Sequence, residues 1–218
     1  MSVVYRLFVF DLDGTLIDSS RDIAESANLM LESYGAQPLA EAAIRGMVGE
    51  GAATLVARAL DAAGVTGVAD GLERYLAIYD TRLLLHTRAY PGVADVLSAL
   101  SGRAALAVFT NKPLAASRRI LDGLDLARHF EPDAVLGGDG PFPRKPEPSG
   151  LVFLAERACV PVAETLMVGD SITDWKTAKR ASTGICMARY GFGFDRFPVE
   201  DLAAGDHVID QAVDLLRL

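Results

Sequence analysis

Two hydrophobic patterns alternate along the chain, one typical of buried strands and the other typical of amphipathic helices. The apolar segment Tyr5 to Phe10 is rich in β-branched and aromatic residues and runs into a glycine-containing turn. A fully buried strand of a parallel sheet has this character. From Ser19 to Gly35 the apolar positions recur at helical spacing, and Ser19 with Asp22 fits a capping box. We therefore predict a strand followed at once by a helix.

Helical spacing continues to about residue 87, and strands and helices alternate beyond it. Two further helices are predicted at 55–63 and 72–83. Past residue 92 the pattern predicts strands at 104–110, 134–136, 165–168 and 184–188, separated by helices at 93–100, 115–124, 148–159 and 171–181. Strands alternating with helices indicate a doubly wound, mostly parallel, Rossmann-like α/β sheet. We therefore expect a discontinuous α/β core of residues 1–17 and 88–218, with a helical cap of residues 18–87 inserted after the first strand.

The composition is that of a folded protein with an acidic balance. Half of the 218 residues are hydrophobic, and 21 Lys and Arg against 29 Asp and Glu give a formal charge of −8. Because nucleic-acid binding draws on a basic face, and no basic cluster is visible, we expect no nucleic-acid partner. No apolar run reaches the ~18 residues of a membrane span, and the apolar start follows no basic stretch. We therefore expect no membrane partner and a cytoplasmic protein, as a monomer or a homodimer.

Polar side chains stand where three of the predicted strands end. Asp11 and Asp13 follow the first strand, Thr110 and Asn111 end the strand after the cap, and Asp170 follows a later one. In an open parallel sheet, ligands bind in the crevice at the carboxyl ends of the strands. We therefore expect these side chains to meet at one edge of the sheet.

Four carboxylates, those of Asp11, Asp13, Asp170 and Asp174, would crowd into that crevice. Their mutual repulsion requires a compensating cation or protonation. Oxygen-rich sites suit Mg²⁺, which takes one or two carboxylates and keeps waters for a substrate phosphate. Lys145 lies in a loop stiffened by flanking prolines, where its ammonium is a point charge suited to phosphate. The residues therefore predict Mg²⁺ as the cofactor, with Lys145 nearby.

Each of these residues also has a structural explanation. Asp11 and Asp13 suit a strand-to-helix turn, where Asp bonds to nearby backbone. Asp174 stands three residues after Ser171, as in a capping box, and Lys145 could be an ordinary solvated loop lysine. It is their convergence on one sheet edge that favours chemistry over these separate explanations.

Four short motifs carry a resemblance to a known family. They are Asp11-Leu-Asp-Gly-Thr15, Thr110-Asn-Lys112, Lys145-Pro-Glu-Pro148 and Gly169-Asp-Ser-Ile-Thr-Asp174. In order and spacing they resemble the four motifs of haloacid dehalogenase-like phosphohydrolases, and the resemblance covers almost the whole chain. The helical block resembles the cap of that superfamily. Its segment Gly46 to Gly51, together with later short motifs, resembles the phosphoglycolate phosphatase group in particular.

The resemblance implies a covalent mechanism with two catalytic carboxylates. Asp11 would attack phosphorus and form an aspartyl-phosphate, while Asp13 would protonate the leaving alkoxide and then deprotonate the hydrolytic water. Mg²⁺ would lie between Asp11, the carbonyl of Asp13 and Asp170. Because halide needs no proton to leave, the presence of Asp13 favours phosphate chemistry over dehalogenation.

The resemblance also implies how the phosphoryl group is held. Thr110 and the backbone around Asn111 would bind its oxygens, and Lys145 would neutralise charge on the nucleophile and the phosphate. Asp174 would orient Lys145 or a metal-bound water. All of these groups contact only the part of the substrate that every phosphomonoester shares.

Discrimination between substrates is expected from the cap turn Gly46 to Gly51. Gly49 lies in this turn, where glycines allow close backbone approach to a ligand. Arg45 is a candidate to pair with a substrate carboxylate, with an ordinary solvated helix arginine as the open alternative. Glu50 stands where related phosphatases often carry Asn, so it must point away from an anionic substrate or bond to Arg45.

These inferences lead to a Mg²⁺-dependent phosphomonoester phosphatase acting on a small phosphorylated metabolite. The leading substrate is 2-phosphoglycolate, and another small phosphate, such as a sugar phosphate or pyrophosphate, is the first alternative. A phosphomutase would differ by transferring the phosphoryl group to a second sugar hydroxyl. A non-catalytic phosphate-binding regulatory module would be expected to lack Asp11 or Asp13, and both are present.

Overall fold

A central parallel sheet organises the chain in the computed structural model, which describes residues 4–218. Residues 1–3 of the expected core segment lie outside the described residues. Within 4–218 the strands are β1 Leu7–Phe10, β2 Ile17–Asp18, β3 Arg88–Ala89, β4 Ala105–Phe109, β5 Val135–Leu136, β6 Thr165–Gly169, β7 Gly184–Ala188 and β8 His207–Ile209. Six of them form one sheet in the order β5-β4-β1-β6-β7-β8, and every pairing in it is parallel. The expected Rossmann-like α/β fold class is therefore confirmed.

The helices cover both faces of this sheet and fill the segment between β2 and β3. They are α1 Ser20–Glu32, α2 Glu41–Arg45, α3 Ala52–Ala62, α4 Gly71–Asp80, α5 Val93–Ser101, α6 Leu114–Gly123, α7 Ser149–Arg157 and α8 Ile172–Ala181. Short 3-10 turns lie at Ala127–His129, Pro132–Ala134, Val162–Glu164, Phe194–Arg196, Val199–Asp201 and Ala212–Arg217. No helix within residues 4–218 has both the length and the apolar character needed to cross a membrane.

The strand β1 is the centre of the sheet and explains the unbroken apolar run near the start of the chain. It pairs with β4 on one side and with β6 on the other, and all four of its residues are buried. Phe8 and Phe10 belong to one hydrophobic cluster, whereas Leu7 and Val9 belong to another. Because both faces of the strand are covered, neither alternate set of side chains can be polar.

The helical segment leaves and re-enters the sheet region at one point. Ile17 pairs with Ala89 and Asp18 with Arg88 in an antiparallel two-stranded ribbon, so β2 and β3 bring the two ends of the segment together. Between them α1 packs against α2, α3 and α4. This ribbon, α2 and β8 are elements that the hydrophobic pattern did not predict, because segments of two to five residues carry too little periodicity.

The predicted capping box at the start of α1 is wrong. Ser19 makes no side-chain cap bond and instead donates its hydroxyl to the carboxylate of Asp13. The buried carboxylate of Asp22 accepts the backbone N–H groups of His86 and Thr87, and the Thr87 hydroxyl as well. Both side chains have tertiary partners that are brought close only by folding, and these replace the local bonds.

Candidate active site

The polar residues at the strand ends lie together, on three neighbouring strands. Asp11 follows β1, Thr110 and Asn111 follow β4, and Asp170 follows β6, and β4, β1 and β6 are adjacent in the sheet. All four side chains are buried. The carboxyl ends of adjacent parallel strands share an edge, which is the ligand-binding edge of such sheets.

Lys145 joins this edge from the loop before α7 and bridges two carboxylates. Its Nζ lies 2.8 Å from Oδ1 of Asp11 and 2.6 Å from Oδ1 of Asp174, and the residue is 4% exposed. The pKa of Lys145 is raised: burial acts against the charged form, but the charges of Asp11 and Asp174 outweigh it. Lys145 is therefore a fixed, buried positive charge and not a solvated loop lysine.

The side chain of Asn111 holds the Lys145 loop in place. Its Oδ1 accepts the backbone N–H of Lys145 at 2.9 Å, and its Nδ2 donates to the Lys145 carbonyl at 3.0 Å. Nδ2 also donates to the carbonyl of Gly49 at 2.9 Å, which ties the cap turn to the same point. The amide of Asn111 is thus committed to positioning, a role that the sequence pattern did not reveal.

Asp174 makes contacts both at the start of a helix and to Lys145. Its Oδ2 accepts the backbone N–H of Ser171 at 3.0 Å and the Ser171 hydroxyl at 2.6 Å, which completes a capping box at the start of α8. Its Oδ1 accepts from Lys145. Because the helix start fixes the carboxylate, Asp174 presents a rigid partner to the Lys145 ammonium.

The carboxylates at this edge outnumber the positive charge beside them. Oxygens of Asp11, Asp170 and Asp174 all lie within 4.8 Å of one another, and all three residues are buried. With Lys145 as the ammonium between them, the group carries a formal charge of −2 when all three carboxylates are ionised. Burial raises the pKa of Asp170 well above its usual range, and the charges of Asp174 and Asp11 raise it further. A divalent cation would relieve this repulsion, and carboxylate oxygens are the ligands that hard cations take.

The backbone around Asp170 is built closely against its carboxylate. The N–H of Gly193 donates to Oδ2 of Asp170 at 2.7 Å. Gly14, with a φ of +86°, passes so near that a Cβ there would lie 1.9 Å from the same oxygen. These contacts hold Asp170 facing Asp11, so the carboxylates fit a metal centre and are not a loose acidic surface.

Asp13 lies apart from that group and has a cation of its own. Nζ of Lys112 lies 2.9 Å from both Oδ1 and Oδ2 of Asp13, and the Ser19 hydroxyl also donates to this carboxylate. Lys112 is 7% exposed. Sequence reasoning missed this pair, although Lys112 stands in the Thr110-Asn-Lys112 motif. The two residues are 99 positions apart, and no local pattern relates them.

A chamber of about 190 Å³ lies between the sheet edge and the helical segment. Its sheet side includes Asp11, Asp13, Asp170 and residues 110–113. Its helical side is mostly apolar and includes Ile23, Val48, Leu55, Tyr75, Leu76, Tyr79 and Leu83. A cleft of this kind beside a charged edge can bury much of a small ligand.

The cap turn contributes to the chamber unevenly. Gly49 lines the chamber, whereas Arg45 does not. The guanidinium of Arg45 lies 5.7 Å from the centre of the ring of Phe192, and Phe192 lines the chamber. Glu50 is exposed and pairs with Arg58 at 2.6 Å. Of the two arrangements expected for Glu50, pointing away is the one observed, with Arg58 and not Arg45 as its partner.

Comparisons with known proteins agree with this architecture. A haloacid dehalogenase-like hydrolase family model matches residues 5–182. The chain is 41% identical over 208 residues to a phosphoglycolate phosphatase of Rhodospirillum rubrum, covering 91% of this chain and 85% of that protein. It is 38% identical over 218 residues to a phosphoglycolate phosphatase of Cereibacter sphaeroides, covering 96% of each.

A solved structure of a similar protein has the same fold. The crystal structure of a predicted phosphoglycolate phosphatase from Haemophilus somnus 129PT superposes with a TM-score of 0.89 at 29% identity, covering 98% of this chain and 97% of that one. The superposition therefore includes both the sheet and the helical segment. The chain belongs to the haloacid dehalogenase-like hydrolase family.

Proposed function

We propose that this protein is a Mg²⁺-dependent phosphatase that hydrolyses 2-phosphoglycolate. The observation that carries the proposal is the placement of Asp11 and Asp13 on one chamber, each beside its own buried lysine. One carboxylate is thereby available to attack phosphorus and the other to serve the leaving group. The names of the relatives at 41% and 38% identity support the choice of substrate.

In the first half-reaction a carboxylate oxygen of Asp11 forms a bond to phosphorus as the ester P–O bond breaks. Asp13 donates its proton to the departing alkoxide, which leaves as glycolate. In the second half-reaction Asp13 takes a proton from water as the water oxygen attacks phosphorus, and the P–O bond to Asp11 breaks. Inorganic phosphate is released, and both carboxylates return to their starting states.

The remaining residues of the edge hold charge and geometry. Mg²⁺, held by Asp11, Asp170 and the carbonyl of Asp13, would supply positive charge to the phosphoryl oxygens and offset the repulsion between the carboxylates. Lys145 would bind a phosphoryl oxygen with its ammonium. Asp174 orients Lys145, which agrees with the 2.6 Å contact between them.

Thr110 and Asn111 complete the phosphoryl site in this proposal. Both are buried and line the chamber next to Asp11. Because the Asn111 amide is engaged by residues 145 and 49, backbone N–H groups of this loop are the donors left for phosphoryl oxygens. Thr110 would add its hydroxyl, which now accepts the Lys112 N–H at 3.2 Å.

We further propose that residues 18–87 act as a cap over a catalytic core of residues 1–17 and 88–218. The β2–β3 ribbon and the chamber between the two parts support this division. Gly49 would face the substrate, and Arg45 would act at the rim behind Phe192. The protein would work in the cytoplasm as a monomer or a homodimer.

A panel of phosphomonoesters tests the proposal directly. We expect the highest kcat/KM for 2-phosphoglycolate, with inorganic phosphate as product, no activity in excess chelator, and recovery on adding Mg²⁺. Asp170→Ala should raise the Mg²⁺ concentration required, because a metal-ligating carboxylate sets the affinity for a hard cation. A preference for a sugar phosphate or pyrophosphate would show that 2-phosphoglycolate is not the main substrate. Transfer to a sugar hydroxyl without phosphate release would indicate a mutase. Full activity in excess chelator would refute the mechanism.

A further inference from the structure

The wall of the chamber is poor in positive charge. Among the residues that line it within 4–218, Lys112 is the one lysine or arginine, and no histidine is present. Lys145 contacts Asp11 and Asp174 from behind the edge, and Arg45 lies behind Phe192. An anionic group that entered the chamber beyond the phosphoryl site would therefore meet Lys112 before any other cation.

Lys112 retains capacity to bind such a group. An ammonium has three N–H donors, and the two oxygens of Asp13, each at 2.9 Å, account for two of them. On another side, Nζ lies 4.7 Å from the centre of the Tyr79 ring. The Tyr79 hydroxyl is buried and has no hydrogen-bond partner among the described residues, although buried hydroxyls normally have one.

The chemistry of 2-phosphoglycolate places its second anion close to this point. Asp13 must reach the ester oxygen in order to protonate it, and one methylene carbon separates that oxygen from the carboxylate carbon. The substrate carboxylate therefore lies beside Asp13, and once Asp13 has given up its proton two negative charges repel in largely apolar surroundings. An ammonium that already contacts Asp13 is placed to bind both.

We propose that Lys112 binds the carboxylate of the leaving group and is the residue that selects for it. This inference rests on the proposed function. It assigns to Lys112 the recognition that the sequence pattern suggested for Arg45. The same ammonium would screen Asp13 from the substrate anion, whereas with an uncharged leaving group it would act only on Asp13 itself.

Two substrates that differ at one group provide the test. In 2-hydroxyethyl phosphate a CH₂OH group replaces the carboxylate of 2-phosphoglycolate, and the ester linkage is the same. The ratio of kcat/KM for the two substrates is measured in the wild type and in Lys112→Met, Lys112→Gln, Tyr79→Phe and Arg45→Met. Turnover of 2-hydroxyethyl phosphate and the Tm of each variant report whether the fold and the reaction centre survive.

We expect Lys112→Met to lower the ratio by about 10- to 100-fold, as the loss of a hydrogen bond to a charged group does. Lys112→Gln should lower it less, because an amide donor remains, and Tyr79→Phe should leave it almost unchanged, because the hydroxyl is buried away from the chamber. If both Lys112 variants kept the wild-type ratio, this inference would be overturned and the proposed function would stand. The same holds if Arg45→Met lowered the ratio and Lys112→Met did not. A wild type without preference for 2-phosphoglycolate would overturn the proposed substrate and this inference with it.

Discussion

Two buried lysines pair with carboxylates that line the chamber, and their surroundings differ in charge. Lys145 lies among Asp11, Asp170 and Asp174, three carboxylates to one ammonium, and we call this group the Lys145 centre. Lys112 is paired with Asp13 alone, with Ser19 and Tyr79 beside it, and we call this group the Lys112 centre. The first centre has an excess of negative charge, whereas the second is balanced.

This difference separates two tasks. Burial and neighbouring charges raise the pKa of Asp170 in the Lys145 centre, and a divalent cation bound there would relieve this repulsion. The Lys112 centre needs no further cation, and its ammonium can serve a second anion. The Lys145 centre, with its excess of negative charge, suits phosphoryl transfer. The Lys112 centre, in which the charges balance, suits recognition of the leaving group.

The centres also differ in which parts of the chain build them. In the Lys145 centre, Asp11 and Asp170 follow strands of the central sheet, Asp174 lies in the first turn of α8, and Lys145 lies in the loop before α7. The Lys112 centre includes Tyr79 from α4 and Ser19 from the start of α1, so part of it belongs to the helical segment. Changes in that segment should therefore alter selectivity without touching the nucleophile.

The largest expected effect is on the nucleophile of the Lys145 centre. Asp11→Asn should lower kcat by on the order of 10⁴-fold or more, because a neutral amide cannot form the acyl-phosphate. Steady-state phosphate release measures it, with the exposed Asp133→Asn as the matched control. A variant that kept a tenth of wild-type turnover would show that Asp11 is not the nucleophile.

A smaller, substrate-dependent loss is expected in the Lys112 centre. Asp13→Asn should lower kcat/KM for 2-phosphoglycolate by about 10²- to 10⁴-fold, since general acid catalysis contributes that much for a poor leaving group. The loss for p-nitrophenyl phosphate should be smaller, because its leaving group departs with little need of a proton. Equal losses on the two substrates would argue against Asp13 as the acid.

Removing each ammonium group in turn compares how much the two centres contribute to the free energy of unfolding. Lys145→Met should lower the free energy of unfolding by about 3–5 kcal/mol at neutral pH in excess chelator, because it leaves buried carboxylates without a partner. Lys112→Met should cost less, about 1–3 kcal/mol, since Asp13 keeps its bond from Ser19. Urea denaturation measures both values. A larger loss of stability in Lys112→Met than in Lys145→Met would contradict the assignment of the excess negative charge to the Lys145 centre.

The smallest effect is expected where the cap turn faces solvent. Glu50 pairs with Arg58, and both side chains are largely exposed. Surface pairs of this kind contribute little, so Glu50→Asn should change kcat/KM for 2-phosphoglycolate by less than about twofold. A selective loss of phosphoglycolate turnover in this variant would place Glu50 at the substrate and favour a polyol or sugar phosphate.

Much of the Lys145 centre could be predicted from sequence, because it depends on short-range rules. Alternating apolar runs mark the strands, and in a parallel sheet each strand delivers the residue after it to the same edge. This rule and the family motifs were enough to place Asp11, Asp170 and Lys145 together. The capping box of Asp174 is also local, and it is confirmed.

The Lys112 centre was decided by the tertiary structure. The pattern at Ser19 and Asp22 predicted a local cap, but Ser19 bonds to Asp13 and Asp22 to backbone at residues 86 and 87. Lys112 reaches Asp13 across 99 positions. Periodicity and capping rules describe neighbours within a few residues, whereas a buried charge takes whichever partner the packed chain brings within hydrogen-bonding distance, because leaving it unpaired costs several kcal/mol.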